Sequence, residues 1–542
     1  MFPNFFNSQT KTVVFAAFIL GAAGLVSRVL GLIRDRLLAG KFGAGDELDV
    51  YFAAFRIPDF VYGILIVGGI TAVFLPAFSE YFQKNKEQAW EFANNLLNCF
   101  LVLLVFFCLL LFAFTPFIID LVVPGFSPEK KELTVSLTRI MFFSPLFFGI
   151  SSIFSGVLHY FNRFLIFSLA PILYNLSIIF GILFLVPNFG LYGLAFGVIL
   201  GAFLQMLLQI PGIINCGYKY LLILRFKDPR IIKVFKLMIP RMIGVFGFYI
   251  NLIIVTAIAS GLAVGSVAIL NFANNLQRLP IGLIGISFAL ASFPSLSLAW
   301  TNKTKQTFFK NFSLIFRQIL FLIIPISLLM FLMRTQITQI ILGTGKFGLE
   351  ETKLTAAMLG IFCLGIFATA CLPFLAKVFY SIKDTKTPAI IALYSVALNI
   401  VLCFLFVWLL APGISAFREI IINFLNLQEL TDISVLGLAL ALSISGIFHF
   451  FLLLIFLKKR IEIDFKEIWQ SLKKIGIATI LMGINVWLFK QITAHLINVD
   501  VLPALIFQTI ASGIIGVFVY LLIACLLRCQ EIRKFAGSDP TL

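Results

Sequence analysis

The sequence predicts an all-α polytopic membrane protein with about 14 transmembrane helices. Of its 542 residues 61% are hydrophobic and only 12% are charged, a composition that excludes a soluble globule. The mean hydropathy is +1.06. Apolar runs long enough to cross a bilayer recur along the whole chain and are separated by short basic loops.

A window of about 20 residues separates these runs into individual spans. Their centres fall near residues 22, 65, 106, 145, 174, 198, 249, 280, 322, 366, 397, 445, 482 and 514. Lysine and arginine concentrate in loops on the side of the two termini, for example in 219–236 and 458–474. Positive charge favours the cytoplasmic side, so we expect both termini in the cytoplasm.

The net charge of +17 does not by itself indicate a nucleic-acid partner. Nucleic-acid binding needs basic residues on a folded soluble face, usually beside aromatic side chains. Here the basic residues lie in short loops between apolar runs, and we expect no nucleic acid to bind.

The chain repeats itself at an offset of about 220 residues. Three pairs of short motifs carry the repeat: Arg56-Ile57-Pro58 with Arg278-Leu279-Pro280, Pro76-Ala77-Phe78-Ser79 with Pro294-Ser295-Leu296-Ser297, and Tyr160 with Tyr380. Such a repeat predicts two six-span halves in pseudo-two-fold arrangement, plus two extra C-terminal helices. The predicted parts are an N-terminal lobe 1–218, a cytoplasmic amphipathic linker 219–236, a C-terminal lobe 237–457, and the extra pair with a cytoplasmic tail, 458–542.

A polar stripe within the first span gives the first indication of function. Its members are spaced three and four residues apart and share one helix face; they are Gly21, Gly24, Arg28, Gly31 and Asp35. An arginine near the middle of a bilayer costs from about 2.5 to more than 10 kcal/mol, so this face should line a wet interior cavity.

Ionisable residues in or beside the spans are mostly cations. They are Arg28, Arg34, Asp35, Arg56, Asp59 and Arg139 in the first half, and Arg241, Arg278, Arg317 and Lys377 in the second. We expect the guanidinium groups inside the first half to lack partners of their own. Their planar forks fit phosphate oxygens, so the sequence predicts a phosphate-bearing amphiphile as substrate.

Several motifs closely resemble the MurJ (MviN) family of lipid II flippases. They occur in the family's order: Ser27-Arg28-Val29-Leu30-Gly31, Arg34-Asp35, Phe42-Gly43-Ala44-Gly45, Asp49, Ala53-Ala54-Phe55-Arg56-Ile57-Pro58, Val123-Pro124-Gly125-Phe126, Asn162-Arg163-Phe164, Gly345-Lys346-Phe347 and Lys386-Thr387-Pro388. The resemblance implies the multidrug/oligosaccharidyl-lipid/polysaccharide exporter fold. It also implies transport of an undecaprenyl-pyrophosphate-linked peptidoglycan precursor, lipid II, from the inner to the outer leaflet of the bacterial cytoplasmic membrane by alternating access.

The resemblance also implies site residues. The substrate-binding candidates are Arg28, Arg34 and Asp49, with Arg56 and Arg278 as substitutes for cations that this chain lacks; the supporting cavity residues are Gly31, Asp35, Asn275 and Tyr62. Many family members carry an arginine pair where this chain has Tyr62 and Gly63, and an arginine where it has Asn275. Arg278 lies about one helical turn beyond Asn275 and could serve in its place.

We expect neither a catalytic residue nor a metal or cofactor, and therefore not an enzyme. Some relatives bind sodium through carboxylates between spans seven and eleven, where this chain offers Asn251 and Asn399. Sodium coupling is accordingly not expected. An ion gradient or the membrane potential remains as the drive, the latter supplying about 2.3 kcal/mol per charge per 100 mV.

Other functions stay open at this point. They are a flippase for a different polyprenyl-pyrophosphate-linked glycan, an ion-coupled exporter of the multidrug type, and a scaffold of the cell-wall machinery that transports nothing. The expected partners are the polyprenyl-pyrophosphate substrate and membrane lipids. We expect a monomer that contacts cell-wall synthesis proteins.

Overall fold

The computed structural model is entirely helical over the residues it describes, with no β-strand among them. These residues are 13–302, 304–413, 416–461, 465–497 and 501–535. Parts of three predicted segments lie outside them, namely 1–12 of the N-terminal lobe, 303 and 414–415 of the C-terminal lobe, and 462–464, 498–500 and 536–542 of the extra pair with its tail. The prediction of an all-α membrane protein is confirmed.

The described residues before 261 form eleven α-helices and two π-helical segments. They are α1 (Val13–Phe42), α2 (Asp46–Ala54), α3 (Arg56–Val61), π1 (Tyr62–Ile70), α4 (Thr71–Lys84), α5 (Lys86–Val122), α6 (Pro128–Met141), α7 (Phe143–Tyr160), α8 (Phe164–Phe180), π2 (Gly181–Leu185), α9 (Val186–Phe189), α10 (Tyr192–Ile214) and α11 (Pro229–Ser260).

The described part of the chain after residue 261 forms eleven further α-helices and one π-helical segment. They are α12 (Ser266–Pro280), π3 (Ile281–Ile286), α13 (Ser287–Thr301), α14 (Lys305–Leu332), α15 (Arg334–Ile341), α16 (Leu349–Ser381), α17 (Lys386–Leu410), α18 (Ala416–Leu425), α19 (Leu436–Arg460), α20 (Lys466–Leu496), α21 (Leu502–Leu526) and α22 (Gln530–Phe535).

Thirteen helical stretches among the described residues are long and apolar enough to cross a membrane. Each predicted span centre from residue 65 onward falls in a different one of them. The first predicted centre, near residue 22, lies in α1, which is not among the thirteen. The predicted count of fourteen therefore stays a prediction.

The repeat is visible in local backbone structure. A π-helical segment follows each of the two Arg-x-Pro motifs, π1 after 56–58 and π3 after 278–280, at an offset of 219 residues between their first members. Short π-helical insertions inside α-helices are rare, and they occur mostly where a helix deforms at a functional position. Two at matching places support a duplicated architecture.

A second pair of matching features lies in the turns after α7 and α16. Asn162 has a φ of +56° and Lys383 a φ of +65°, and these two residues are 221 positions apart. Residues other than glycine rarely adopt this left-handed conformation, so both turns are specified by their surroundings.

The chain forms two compact units, Met1–Ala268 and Ile269–Leu542. The first unit thus includes α11 and the first residues of α12. The predicted lobe boundaries, with a second lobe starting at residue 237, stay a prediction.

Candidate functional site

The first half of the polar stripe on α1 faces open space. No atom lies within 4 Å of the Cβ position of either Gly21 or Gly24. Arg28 follows on the same face and is half-buried. Within the part of the chain that the structure describes, its guanidinium forms no hydrogen bond or ion pair. This segment combines open space with a cation that has no partner among the described residues. Its role as a substrate-binding face stays a prediction.

The guanidinium of Arg34, in contrast, has a carboxylate partner. Its Nε and Nη2 donate to Oδ1 of Asp35 over 3.0 and 2.8 Å, and its Nη1 donates to Oδ1 of Asn175 over 3.1 Å. The Asp35 side chain is 5% exposed. The expectation of an unpartnered guanidinium is therefore wrong for Arg34. Consecutive helical residues do not normally face each other, but the long arginine side chain bends back to its neighbour.

Asn175 of α8 joins this ion pair to the backbone of α1. Its Nδ2 donates to the carbonyl oxygen of Ser27 over 3.1 Å and lies 3.2 Å from the Ser27 hydroxyl. A Cβ on Gly31 would lie 3.9 Å from Asn175 Oδ1. The second half of the stripe, with Gly31 and Asp35, thus packs against α8 and fixes the position of α1.

Asp49 on α2 binds backbone amides. Its Oδ2 accepts from the amide of Gly265 over 2.8 Å and its Oδ1 from the amide of Ala268 over 2.9 Å. It is 2% exposed and caps the first turn of α12, where amides lack partners within the helix. Gly265 has a φ of +87°, and a Cβ there would lie 2.1 Å from the carbonyl oxygen of Ala44.

Arg56 and Tyr62 also have protein contacts. Nε of Arg56 donates to Oγ1 of Thr256 on α11 over 2.6 Å. The Tyr62 ring lies 5.0 Å from the Phe148 ring between centroids, in a tilted arrangement. Arg56 therefore links α3 to α11, and the expectation of an unpartnered guanidinium is wrong for Arg56 as well.

The predicted residues on α12 lie in the second unit. Asn275 is half-buried and Arg278 is exposed. Both take part in interactions with other residues, so neither is unpaired. The substitution of Arg278 for a cation at position 275 stays a prediction.

Two other predicted cations also contact protein groups. Arg317 is 8% exposed, and its Nε lies 3.6 Å from Glu531 and its Nη2 3.9 Å from Glu467. Arg139 donates from Nε to the carbonyl oxygen of Phe112 and lies over that ring, 4.9 Å from its centroid. Arg317 thus has two carboxylate neighbours. For Arg139, in the first half, the expected lack of a partner is wrong.

The linker between α10 and α11 is held by three buried asparagines of α5 that sequence reasoning missed. The side-chain oxygen of Asn94 accepts from the amide of Leu221 over 3.0 Å, and that of Asn95 from the amide of Arg225 over 2.7 Å. Asn98 donates to the carbonyl oxygens of Leu221 and Ile223. Three asparagines within five residues of an apolar helix were the available signal, since buried amides need partners.

The linker presents apolar side chains on its free side. Residues 218–225 are not helical, and the Leu222 side chain is 83% exposed.

Among the residues the structure describes, no group of three or more histidine, cysteine, aspartate or glutamate side chains could hold a metal ion.

A duplicated, all-helical bundle with a cation on an open face of its first helix defines a polytopic membrane transporter. Known proteins identify the family. The model of the family described as lipid II flippase MurJ matches residues 38–508. The chain therefore belongs to the MurJ family, and it is a multi-pass inner-membrane protein.

Individual relatives agree with this assignment. A probable lipid II flippase MurJ of Buchnera aphidicola subsp. Schizaphis graminum is 32% identical over 387 residues, which cover 70% of this chain and 75% of that protein. The probable lipid II flippase MurJ of Borreliella burgdorferi is 29% identical over 95% of this chain and 96% of its own length.

Solved structures show the same fold. A lipid II flippase MurJ in an inward closed conformation superimposes with a TM-score of 0.76 and 26% identity, covering 95% of this chain and all of that one. A multidrug resistance transporter of the MATE family and MOP superfamily, in an inward-facing conformation, gives 0.64 at 14% identity over 80% of this chain and 94% of that one, and so matches in fold alone.

Proposed function

We propose that this protein moves lipid II, an undecaprenyl-pyrophosphate-linked peptidoglycan precursor, from the inner to the outer leaflet by alternating access. The observation that carries the proposal is the half-buried guanidinium of Arg28, which has no partner among the described residues. A charge in that position is costly inside a membrane unless an anion reaches it. Membership of the MurJ family gives that anion its identity.

Arg28 is the residue that engages the pyrophosphate in this proposal. A guanidinium binds phosphate oxygens through two parallel hydrogen bonds. Gly21 and Gly24 have no neighbours at their Cβ positions and leave room for the headgroup on the same face. Arg34 acts differently, because its ion pair with Asp35 and its bond to Asn175 hold α1 against α8. It positions Arg28.

Asp49 holds the present conformation. Its two hydrogen bonds tie α2 to the first turn of α12. Any movement that separates these two elements has to break both bonds and expose two amides. We infer that Asp49 stabilises one end state of the transport cycle and does not bind the substrate.

The energy source in this proposal is the membrane potential acting on cationic groups, at about 2.3 kcal/mol per charge per 100 mV. The positions discussed above for sodium offer no carboxylate in this chain. One of them, Asn399, is 1% exposed, and its side chain accepts a hydrogen bond from Ser445. The protein would act as a monomer with both termini in the cytoplasm and would contact cell-wall synthesis proteins.

Replacement of Arg28 by alanine tests the proposal. The variant should fail to complement a strain depleted of its own flippase, and proteoliposomes containing it should not move lipid II. Arg28→Lys keeps the charge without the planar fork and should recover part of the activity. Arg139→Ala is the matched control, because Arg139 already donates to a carbonyl oxygen and should be dispensable. Full activity of Arg28→Ala would overturn the proposal.

A scaffold that transports nothing is the second candidate. It is favoured by Tyr62, Gly63 and Asn275, which stand where many relatives have arginine. The same experiment separates the two candidates. A scaffold would not complement the depleted strain either as the wild type or as the Arg28→Ala variant, and neither form would move lipid II in proteoliposomes.

A further inference from the structure

The second unit contains a cavity of about 430 Å³ that belongs to no part of the predicted transport site. It lies where α13, α16 and α19 end and α17 begins. Its polar lining consists mainly of Lys383, Asp384, Lys386 and Arg460, and Trp300 contributes an aromatic wall. In the predicted orientation this end faces the cytoplasm.

The single carboxylate in the lining of the cavity already has partners within the protein. Oδ1 of Asp384 accepts from the amide of Thr387 over 3.0 Å, and Oδ2 accepts from the Thr387 hydroxyl over 2.7 Å. Nε of Arg460 lies 3.6 Å from the same Oδ2. Asp384 therefore caps α17 and offsets one cation.

The two lysines of the cavity differ from Arg460, which lies beside the carboxylate. Neither Lys383 nor Lys386 forms a hydrogen bond or ion pair from its ammonium group within the described ranges of the chain. Three cations against one carboxylate give the lining a net charge of +2 (3 − 1). The left-handed backbone of Lys383, with φ of +65°, is part of the turn that carries both lysines.

The corresponding turn of the first half differs at one position. Asn162 corresponds to Lys383, so Arg163 corresponds to Asp384. Arg163 is 6% exposed and donates to the carbonyl oxygens of Gly212 and Asn215, at the end of α10. The first-half turn thus fills its own space with a cation, whereas the second-half turn has an acid there and leaves a cationic cavity.

We propose that the cavity lined by Lys383, Lys386, Arg460 and Trp300 binds a phosphate group. Two lysines without partners and a partly offset arginine supply donors for the oxygens of a phosphate monoester or diester. The cavity volume admits a small headgroup. The phosphate could belong to an anionic phospholipid of the adjacent leaflet or be free in solution, and the experiment has an arm for each. The proposal is independent of the lipid that the protein transports.

The test compares two double variants of the full-length protein. Lys383→Gln with Lys386→Gln removes the unpaired cations but keeps long polar side chains. Lys458→Gln with Lys459→Gln is the matched control, since these residues lie in the last turn of α19 and do not line the cavity. Thermal stability is measured in detergent with inorganic phosphate against chloride at equal ionic strength, and in nanodiscs with phosphatidylglycerol against phosphatidylcholine.

Phosphate or phosphatidylglycerol should raise the melting temperature of the wild type and of the control variant. The cavity variant should need a roughly tenfold higher ligand concentration for the same shift. A shift with inorganic phosphate identifies a free phosphate as sufficient, and a shift only with phosphatidylglycerol identifies a lipid headgroup. The proposal is overturned if neither ligand shifts the wild type, or if both double variants respond alike.

Discussion

The ring of Tyr249 on α11 occupies the space in which Gly63 would carry a side chain. A Cβ built on Gly63 would lie 1.8 Å from Cζ of Tyr249. A side chain at position 63 has no room while Tyr249 stays in place. The glycine and the tyrosine together therefore form one structural feature, a close contact between π1 and α11.

Gly63→Ala should accordingly destabilise the protein. The added methyl group overpacks the contact, which typically costs about 1–3 kcal/mol. The melting temperature in detergent should fall, and Tyr249→Ala in the same chain should restore most of it. Gly244→Ala is the control, because no atom lies within 4 Å of its Cβ position. Equal melting temperatures for the two glycine variants would contradict the contact.

Two acids of α2 provide a second prediction. Asp49→Ala leaves the buried amides of Gly265 and Ala268 without acceptors, which should cost about 2–5 kcal/mol in total. Asp46→Ala removes an ion pair with Lys130 in which the Asp46 side chain is 57% exposed, so it should cost less than about 1 kcal/mol. Melting temperatures of the two variants measure the difference. A harmless Asp49→Ala would show that the α12 cap does not stabilise this conformation.

The architecture could be predicted from the sequence because membrane spans are set by composition. Each of the fourteen predicted centres lies in a separate helical stretch. Short motifs such as Arg56-Ile57-Pro58 indicate the repeat. In the structure a π-helical segment follows this motif and its counterpart in the second half. Hydrophobic length and local motifs determine these features, and both can be counted along a chain.

The partners of the charged side chains could not be predicted in the same way. The spacing of the stripe on α1 predicts one continuous cavity face, yet Asn175, from a helix about 140 residues later, divides it into an open part and a packed part. Asp49 finds its amides more than 200 residues away. Such partners depend on how distant helices pack, which periodicity along one helix does not encode.

The asparagines of α5 lead to a third prediction, about backbone dynamics. The amide of Arg225 donates to Asn95 and should exchange slowly with solvent deuterium although its linker is not helical. Asn95→Ala removes that acceptor, and exchange at this amide should accelerate by roughly tenfold or more.

Asn485→Ala is the matched control for the linker experiment. Asn485 is exposed and donates only to the carbonyl oxygen of Leu481 within its own helix. Its replacement should leave exchange at Arg225 unchanged. Fast exchange at this amide in the wild type would mean that Asn95 does not hold the linker in solution.

The ion pair of Arg34 with Asp35 leads to the last prediction. Arg34→Ala leaves the nearly buried carboxylate of Asp35 without its cation, a change that typically costs about 3–5 kcal/mol. Arg34→Ala with Asp35→Ala should be more stable than Arg34→Ala alone, because no charge is stranded. Arg28→Ala should leave the melting temperature near that of the wild type while transport is lost, since Arg28 has no partner in the described chain. Measuring melting temperature and transport on the same variants thus distinguishes the role of Arg34 from that of Arg28. A positioning role for Arg34 is contradicted if Arg34→Ala loses transport but keeps the melting temperature of the wild type.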